Sequence, residues 1–355
     1  MLELMGKYDQ ALDACAAGLT RLEQVAETDS GALSARASLQ LSAGGINYRR
    51  SNTEEAVRWL KQAAADAESA GDRSTLAHAY YLLDAALTDL GSPEGLEYLE
   101  LARPIYEERG DLRGLGVVLS NLGIHAYYEG RWDESARLYA ESREAKERSG
   151  DVIGGAIQVN NEGEIFSDQG RLDEAEHAFD AFLRACRAAG WPFGAAAALS
   201  NLGRAAARAG RFDDAHARFG EANAIFEELA AERFKVEAKA REAECLVFEG
   251  RHANALAVVA ECRDLARKTP VGGLEALIER NHGFALCQAR RREEALPHFE
   301  QSLELARGQK AEFEIALTLR AMAAVGFDDA DRLQAESDAI LERLGVVSVA
   351  KVPLP

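Results

Sequence analysis

A short motif returns every 40 residues along the middle of this chain. The motif begins with glycine and arginine. After one variable residue come two residues that are acidic in three of the four copies, and then a small residue. It occupies residues 130–135, 170–175, 210–215 and 250–255. A weaker copy at 290–295 keeps the register, and a related block lies at 6–11. A fixed period of this length indicates stacked copies of one supersecondary unit.

Two further patterns share the same period. An asparagine followed two positions later by glycine occurs at 121–123, 161–163, 201–203 and 281–283, and a Gly-Asp pair occurs at 71–72, 110–111 and 150–151. Glycine suits the left-handed residue after a helix, and an acidic residue caps or opens the next helix. Each period is therefore predicted to be a helix, a tight turn, a second helix and a second tight turn.

A packing stripe follows the first motif. Small residues occupy Ser135, Ala175, Ala215, Ala255 and Ala295, and larger apolar residues follow four positions later at Tyr139, Phe179, Phe219, Val259 and Phe299. Residues four apart share a helix face. The glycines at 123, 163, 203 and 283 stand inside predicted helices, where glycine costs about 1 kcal/mol relative to alanine. We expect them to contact the partner helix of the same repeat.

Asn-Leu-Gly, then Gly-Arg-aromatic-Asp-Glu-Ala, then an aromatic residue four positions on, resembles the tetratricopeptide repeat consensus. The 40-residue period exceeds the usual value of about 34, and is similar to the long-helix variants of kinesin light chains and large ATP-dependent bacterial regulators. The resemblance covers essentially the whole chain. It implies an all-α fold, a right-handed superhelical solenoid of antiparallel helix pairs with about 16–17 helices, and the high content of helix-forming residues agrees with it.

The expected organisation is one solenoid over residues 1–344 and an extended C-terminal tail over 345–355. The predicted repeat boundaries lie near residues 30, 72, 111, 151, 191, 231, 271 and 310. Residues 1–27 resemble the second helix of a repeat without its first helix, with Met1–Met5 as the tail of an interrupted helix. This favours a piece of a longer protein, and an open N-terminal face predicts a homodimer in isolation.

The end of the chain has its own pattern. A last helix is predicted at about 330–344, followed by an alternating tail that is expected to lie on the final helices. This ending resembles that of actinobacterial proteins that join a nucleotide cyclase domain, an ATPase module and a helical-repeat region. The resemblance implies a cyclase- or ATPase-linked regulatory region.

Charge and motif content exclude several functions. The net charge is -18, which opposes contact with phosphate backbones and argues against nucleic-acid binding. No stretch has the roughly 20 apolar residues of a membrane span, and no signal peptide begins the chain, so the cytoplasm is the expected location. The 5 cysteines are isolated, which predicts buried core residues and no metal site. No catalytic motif occurs, so no enzyme activity and no cofactor are expected.

Candidate binding residues follow from the resemblance. In tetratricopeptide arrays the first helix of each repeat lines the concave face, and the residue before Leu-Gly faces the ligand. The matching residues are Asn121, Asn161, Asn201 and Asn281, with Arg241 in place of asparagine in one repeat. These amides either bind the backbone of a partner segment or bond neighbouring helices and water.

Charged and aromatic residues complete the candidate surface. Glu164 and Arg204 occupy equivalent positions in adjacent repeats, as do Asp168 and Arg208, so one interpretation is a set of ion pairs between repeats. The other is a basic patch for a carboxylate-bearing partner. The patch consists of Arg204, Arg208, Arg241 and Arg280. The aromatic residues Tyr127 and Tyr128, with Tyr80 and Tyr81 upstream, are either core residues or an anchor pocket for a partner.

Three functional hypotheses remain open at this point. The first is a protein-interaction or regulatory-sensor region of a larger bacterial signalling protein, which binds a partner segment on the concave face. The second is a free-standing adaptor or scaffold that recruits one protein. The third, an enzyme or a small-molecule-binding solenoid, requires a closed polar pocket that the sequence does not define.

Overall fold

The computed structural model describes residues 8–22, 29–92, 94–268 and 273–355. Across these residues the chain forms 17 α-helices and no β-strand, which confirms the predicted all-α class. The helices are α1 (Tyr8–Leu22), α2 (Ser30–Arg49), α3 (Thr53–Ala70), α4 (Arg73–Asp89), α5 (Gly95–Arg109), α6 (Leu112–Tyr128), α7 (Trp132–Arg148), α8 (Val152–Gln169), α9 (Leu172–Ala188), α10 (Pro192–Arg208), α11 (Phe212–Glu228), α12 (Glu232–Glu249), α13 (His252–Lys268), α14 (Glu275–Gln288), α15 (Arg292–Gly308), α16 (Glu312–Ala324) and α17 (Ala330–Arg343).

The helices end where the repeated glycines stand. Gly130, Gly170, Gly210 and Gly250 have φ between 73° and 80°, the left-handed region that only glycine enters without strain. After Gly170, for example, the amide of Arg171 donates to the carbonyl of Phe166 at 2.9 Å, which closes the end of α8. The acidic residues that follow then begin the next helix.

The glycines inside the helices have the packing role that the sequence predicts. A Cβ atom added at Gly163, Gly203 or Gly283 would lie 2.8–2.9 Å from an aromatic ring of the next helix in the chain. The three rings belong to Phe179, Phe219 and Phe299, and each is fully buried. Contact with the partner helix of the same repeat is therefore confirmed at these three positions.

The chain divides into two compact units. Unit 1 consists of residues 1–125 and 144–151, and unit 2 consists of residues 126–143 and 152–355. Unit 1 has a core around Leu60 and Leu83. The single solenoid over 1–344 and its repeat boundaries stay predictions, and the expectation for Met1–Met5 lies outside the described residues.

Unit 2 has two layers of helices. Each helix of the series α8, α10, α12, α14 and α16 packs beside the next member of the series, while α9, α11, α13 and α15 pack against them as the second helices of their pairs. Buried aromatic rings such as Phe179 and Phe226 fill the space between the layers. All five cysteines are free and buried, as predicted.

Unit 2 also contacts itself across a long stretch of chain. The ring of Trp132, at the start of α7, lies 5.4 Å from the ring of Phe313 in α16, centroid to centroid. Leu344 and Val346 join the same apolar cluster. Residues near 130 and residues after 312 are therefore held together by aromatic packing.

Residues 345–355 form neither helix nor strand. The predicted last helix is confirmed as α17. The tail is expected on the final helices alone, but it also contacts α8. The Val347 amide donates to the carbonyl of Gln169 at the end of α8, at 2.8 Å. Sequence separation hides this contact, because the two residues lie almost half the chain apart.

Candidate partner-binding surface

The series α8, α10, α12, α14 and α16 lines one cavity of about 300 Å³ in unit 2. We call the surface of these five helices that borders the cavity the inner face. Ion-paired residues and apolar residues both contribute to it, and residues 348–352 and Leu354 form a further wall. The cavity is therefore built from equivalent positions of successive repeats.

Asp168, near the end of α8, is the centre of the first polar cluster. Its carboxylate accepts from Arg204 Nη2 at 2.8 Å and from Arg208 Nη1 at 2.7 Å, and the Tyr127 hydroxyl donates to it as well. Only 4% of the Asp168 side chain is exposed, against 11% for Arg204 and 12% for Arg208. One buried carboxylate thus receives two cations and a phenol.

The electrostatics of this cluster favour the charged form of Asp168. Burial by itself would raise the pKa of Asp168, but the guanidinium groups of Arg204 and Arg208 and the hydrogen bond from Tyr127 hold that pKa below its usual value. Burial and the nearby Asp168 carboxylate both raise the pKa of the Tyr127 hydroxyl. Asp168 is therefore an anion and Tyr127 a neutral donor at neutral pH.

Asn201, in α10, links three first helices. Its amide donates to Asn160 Oδ1 at 3.0 Å and to Glu164 Oε1 at 3.1 Å, both in α8, and its oxygen accepts from Arg241 in α12. Arg241 also pairs with Glu237 at 2.5 Å. The donor and the acceptor of Asn201 are both engaged between repeats.

The other predicted asparagines differ from one another. Asn281 donates to the carbonyl of Ala240 at 3.3 Å, again from one first helix to the preceding one. Asn121 lies in unit 1, where its amide donates to Asp84 at 3.2 Å, and Asn161 is half-buried. Asn121, Asn201 and Asn281 therefore bond neighbouring helices, which is one of the two alternatives that the sequence left open. A role in partner binding stays a prediction for all four.

Arg280, in α14, forms the third polar cluster. Its guanidinium pairs with Glu314 in α16 and lies 3.7 Å from Glu244 in α12. Each of the four arginines of the predicted basic patch therefore has a carboxylate partner. Of the four, Arg208 and Arg280 line the cavity. Their charges are balanced there, because burial makes an unpaired guanidinium too costly.

The pairing also corrects one detail. Equivalent positions in adjacent repeats pair Arg208 with Asp168 as predicted, but Arg204 contacts Asp168 and not Glu164. Glu164 instead accepts from Asn201. Both arginines converge on one acid because residues four apart lie on the same side of α10.

The two adjacent tyrosines have different environments. The ring of Tyr127 stacks on Trp132 at 6.0 Å, and its hydroxyl is used by Asp168, so Tyr127 is a structural residue of unit 2. Tyr128 packs its edge against Tyr127 but remains 59% exposed. Tyr128 alone of this pair is open to a partner; Tyr80 and Tyr81 belong to unit 1.

The cavity also has apolar lining residues. Phe248, Phe284 and Phe313 line it together with Leu317, and the Arg208 guanidinium lies 5.8 Å from the centre of the Phe313 ring. A guanidinium at this distance from an aromatic face is held by a cation–π contact. The cavity thus offers an apolar wall beside paired charges.

Two glutamines that no sequence motif predicts hold the segment 345–355. Gln169 donates through Nε2 to the carbonyl of Leu344 at 3.2 Å, and Gln288 donates through Nε2 to the carbonyl of Pro353 at 3.0 Å. Neither glutamine belongs to a repeated motif. A prediction from periodicity cannot find such residues, because their partners lie outside the repeats.

A separate cluster lies between α13, α14 and α15. Glu279, His282 and His298 place one ligand atom each within 4.8 Å of one another, so these three residues have the donor types of a metal site. Arg263 Nη1, however, lies 3.2 Å from His282 Nδ1, and Arg263 Nε lies 3.5 Å from Glu279. A guanidinium cation already balances Glu279 there and opposes a second cation.

The comparisons with known proteins agree with this architecture. A family model described as tetratricopeptide repeat matches residues 156–228. A search of the curated proteins found no match. Among the described helices, none is long and apolar enough to cross a membrane.

Several solved structures resemble the chain in fold. A Rap protein complexed with Competence and Sporulation Factor is 13% identical, with a TM-score of 0.62, and the match covers 94% of this chain and 97% of that one. The apo form of the quorum sensor NprR from B. thuringiensis is 13% identical, with a TM-score of 0.60, and the match covers 85% of this chain and 84% of that one.

A third structure is a signal transduction ATPase with numerous domains from Pyrococcus horikoshii, described as having a tetratricopeptide repeat sensor. It is 16% identical, with a TM-score of 0.56. The match covers 80% of this chain but only 46% of the ATPase, so this chain spans less than half of that protein. Identities this low establish a fold, here a tetratricopeptide-like helical solenoid.

Proposed function

We propose that this chain is a protein-interaction and regulatory-sensor region that binds a partner segment on the inner face of unit 2. The observation that carries the proposal is the convergence of five successive first helices on one cavity of about 300 Å³. Ion pairs fix the register of these helices, so a ligand that contacts several of them senses and biases their stacking.

The finer proposal is a place in a larger bacterial signalling protein, linked to a cyclase or an ATPase. The P. horikoshii ATPase supports it, since its tetratricopeptide repeat sensor is one part of a multidomain protein. The open reading frame tests this point. A cyclase or ATPase domain in frame supports the proposal, and a reading frame without one contradicts it and favours the free-standing adaptor.

The chemistry of the inner face defines which partner it accepts. Arg208 and Arg280 on the inner face are already paired with carboxylates. A partner segment therefore gains little from an added carboxylate and more from apolar side chains that contact Phe284 and Leu317. Arg320 lines the cavity and its side chain is 44% exposed, so a change of charge there leaves the core undisturbed.

A matched pair of arginines tests the location. Arg320 borders the cavity and pairs with Asp338 at 3.3 Å. Arg307, in α15, pairs with Glu336 at 3.2 Å and does not line the cavity. Peptides are selected from a displayed random library on the purified full chain, and their affinities are measured by fluorescence anisotropy.

Because the peptides are selected on the wild-type chain, we expect Arg320→Glu to lower their affinity by about tenfold, equivalent to about 1.4 kcal/mol. We expect Arg307→Glu to bind as the wild type does. Equal affinities for the wild type and both variants would place the binding surface elsewhere.

A further inference from the structure

The segment after α17 lies along the inner face as an extended peptide. We propose that the inner face of unit 2 is a groove for an extended segment with apolar residues at alternate positions, and that residues 346–354 are its built-in occupant, which a partner segment displaces. This inference rests on the proposed function and adds to it the chemistry of the partner and the competitor for the site.

The first end of the segment is held through its backbone. The Val347 amide donates to the Gln169 carbonyl at 2.8 Å, and the Gln169 side chain donates to the Leu344 carbonyl at 3.2 Å. The Ser348 hydroxyl donates to the carbonyl of Gly170 at 3.3 Å. Two of these three bonds are independent of the side chains of the segment, so other sequences can form them.

The second end is held by one amide and by apolar packing. Gln288 Nε2 donates both to the Pro353 carbonyl at 3.0 Å and to the Val247 carbonyl of the preceding first helix at 2.7 Å. Val352 and Leu354 pack on the buried core cluster around α14 and α16. The segment is therefore anchored at both ends.

Exposure alternates along the second half of the segment. Lys351, Pro353 and Pro355 are exposed, whereas Val352 and Leu354 are half-buried. This period of two is that of an extended chain with one side on a surface. A displacing segment needs apolar residues at the two buried positions, and it tolerates charge between them.

The segment runs extended across the stack of helices. Residues 347–353 span about 20 Å at about 3.3 Å per residue. Their anchors, Gln169 in α8 and Gln288 in α14, lie three steps apart between neighbouring first helices, and at about 8–10 Å per step the helix axes are about 24–30 Å apart. The Gln288 side chain extends to the Pro353 carbonyl and covers part of the difference. An extended partner segment therefore needs about eight to ten residues to cross all four helices.

The occupant is suited to displacement. Val347 is 70% exposed, and the segment contributes only a few side chains to the core. Because it is attached to the groove, its effective concentration is of the order of mM, so it weakens the apparent affinity of a partner until it is released.

Competition in trans tests the proposal. The probe is a fluorescein-labelled peptide with the sequence of residues 345–355, added to the full chain. The double variant Val352→Asp with Leu354→Asp, which releases the attached segment, is expected to bind the peptide at least tenfold more tightly than the wild type. Pro355→Asp changes an exposed residue beyond the proposed occupant, and it is expected to behave as the wild type.

Two glycines give a second test that leaves the segment unchanged. Gly170 and Gly210 have φ of 78° and 76° at equivalent positions, so alanine strains both backbones alike. A Cβ at Gly170 would overlap the Ser348 hydroxyl and carbonyl, whereas a Cβ at Gly210 meets no atom within 4 Å. Faster hydrogen exchange at the Val347 amide is expected for Gly170→Ala only.

Either of two results would overturn the inference. One is a released-segment variant that remains folded by circular dichroism and binds no more peptide than the wild type. The other is the same Val347 exchange rate in Gly170→Ala and Gly210→Ala. A different result would contradict the proposed function alone. In that result the groove binds the 345–355 peptide, but Arg320→Glu leaves the affinity of the selected partner peptides unchanged.

Discussion

Arg208 Nη1 lies 2.7 Å from Asp168 Oδ1, forty residues earlier in the chain. The pair joins equivalent positions of two adjacent repeats, and it fixes how α10 sits beside α8. Unit 1 contains a related arrangement, where Asp84 accepts from Asn121 and lies 2.9 Å from His125 Nε2. In both units, therefore, two residues of one first helix contact a buried carboxylate on the preceding first helix.

The Asp168 cluster makes the first prediction. Asp168→Asn removes the charge that balances Arg204 and Arg208 and leaves two guanidinium groups in a largely buried site. We expect the free energy of unfolding to fall by about 3–5 kcal/mol, the usual cost of breaking a buried pair. Urea denaturation followed by circular dichroism measures it.

The control for Asp168→Asn is Asp338→Asn. Asp338 is 58% exposed and pairs with Arg320, so its loss is expected to cost at most about 1 kcal/mol. A similar small loss for Asp168→Asn would show that water reaches the cluster and that the inner face tolerates an unpaired arginine.

Two glycines inside helices make the second prediction. Gly203→Ala places a Cβ 2.9 Å from the buried ring of Phe219, whereas Gly220→Ala in α11 meets no atom within 4 Å. Alanine is favoured over glycine in a helix by about 1 kcal/mol. We therefore expect Gly220→Ala to stabilise the chain and Gly203→Ala to destabilise it, as measured by thermal melting.

Opposite signs are the essential result of this comparison. If Gly203→Ala also raised the melting temperature, the Phe219 ring would have room to move, and close contact between α10 and α11 would not be the reason for glycine at that position.

Much of the fold could be predicted because it depends on local chemistry. Gly210 marks a helix end through its left-handed backbone, and Gly203 marks a close contact because only glycine fits against a ring. The register of 40 then placed Asp168 and Arg208 at equivalent positions, and their ion pair follows from helix stacking alone.

The rest depends on geometry that no period encodes. Arg204 contacts Asp168 because of its position around α10, and Tyr127 reaches the same acid from α6. The bond from Gln169 to the Leu344 carbonyl joins residues 175 positions apart, so it arises only when the first and last helices of unit 2 meet. Such contacts follow from the accumulated curvature of unit 2, which a single repeat does not reveal.

Arg290 makes the third prediction. It stands where the earlier repeats have glycine, and its φ is 61°. A non-glycine residue with a left-handed backbone is strained by about 1–2 kcal/mol. Glycine removes this strain but loses more conformational entropy on folding, which offsets part of the gain. We expect Arg290→Gly to raise the free energy of unfolding by about 0.5–1 kcal/mol and Gly210→Ala to lower it by about 1 kcal/mol. Urea denaturation tests both, and a loss of stability in Arg290→Gly would contradict the argument.

His282 makes the fourth prediction, which concerns pH. Burial, His298 and Arg263 lower its pKa from 6.5 to about 4, and Glu279 opposes this only in part, while Arg291 adds to it. The rings of His282 and His298 lie 3.8 Å apart, centroid to centroid. Because the folded-state pKa is below that of the unfolded chain, the unfolded chain binds one more proton between about pH 6.5 and about pH 4, and stability falls as the pH falls through that window.

A histidine titration followed by NMR tests this directly. The midpoint of the His282 Cε1–H resonance is expected near pH 4, and His282→Gln is expected to lose less stability than the wild type between pH 6.5 and pH 4.5. The substitution control is His252→Gln at the exposed start of α13. A His282 midpoint near 6.5 would contradict the argument, because it would mean that water reaches the ring and that neither His298 nor Arg263 acts on it.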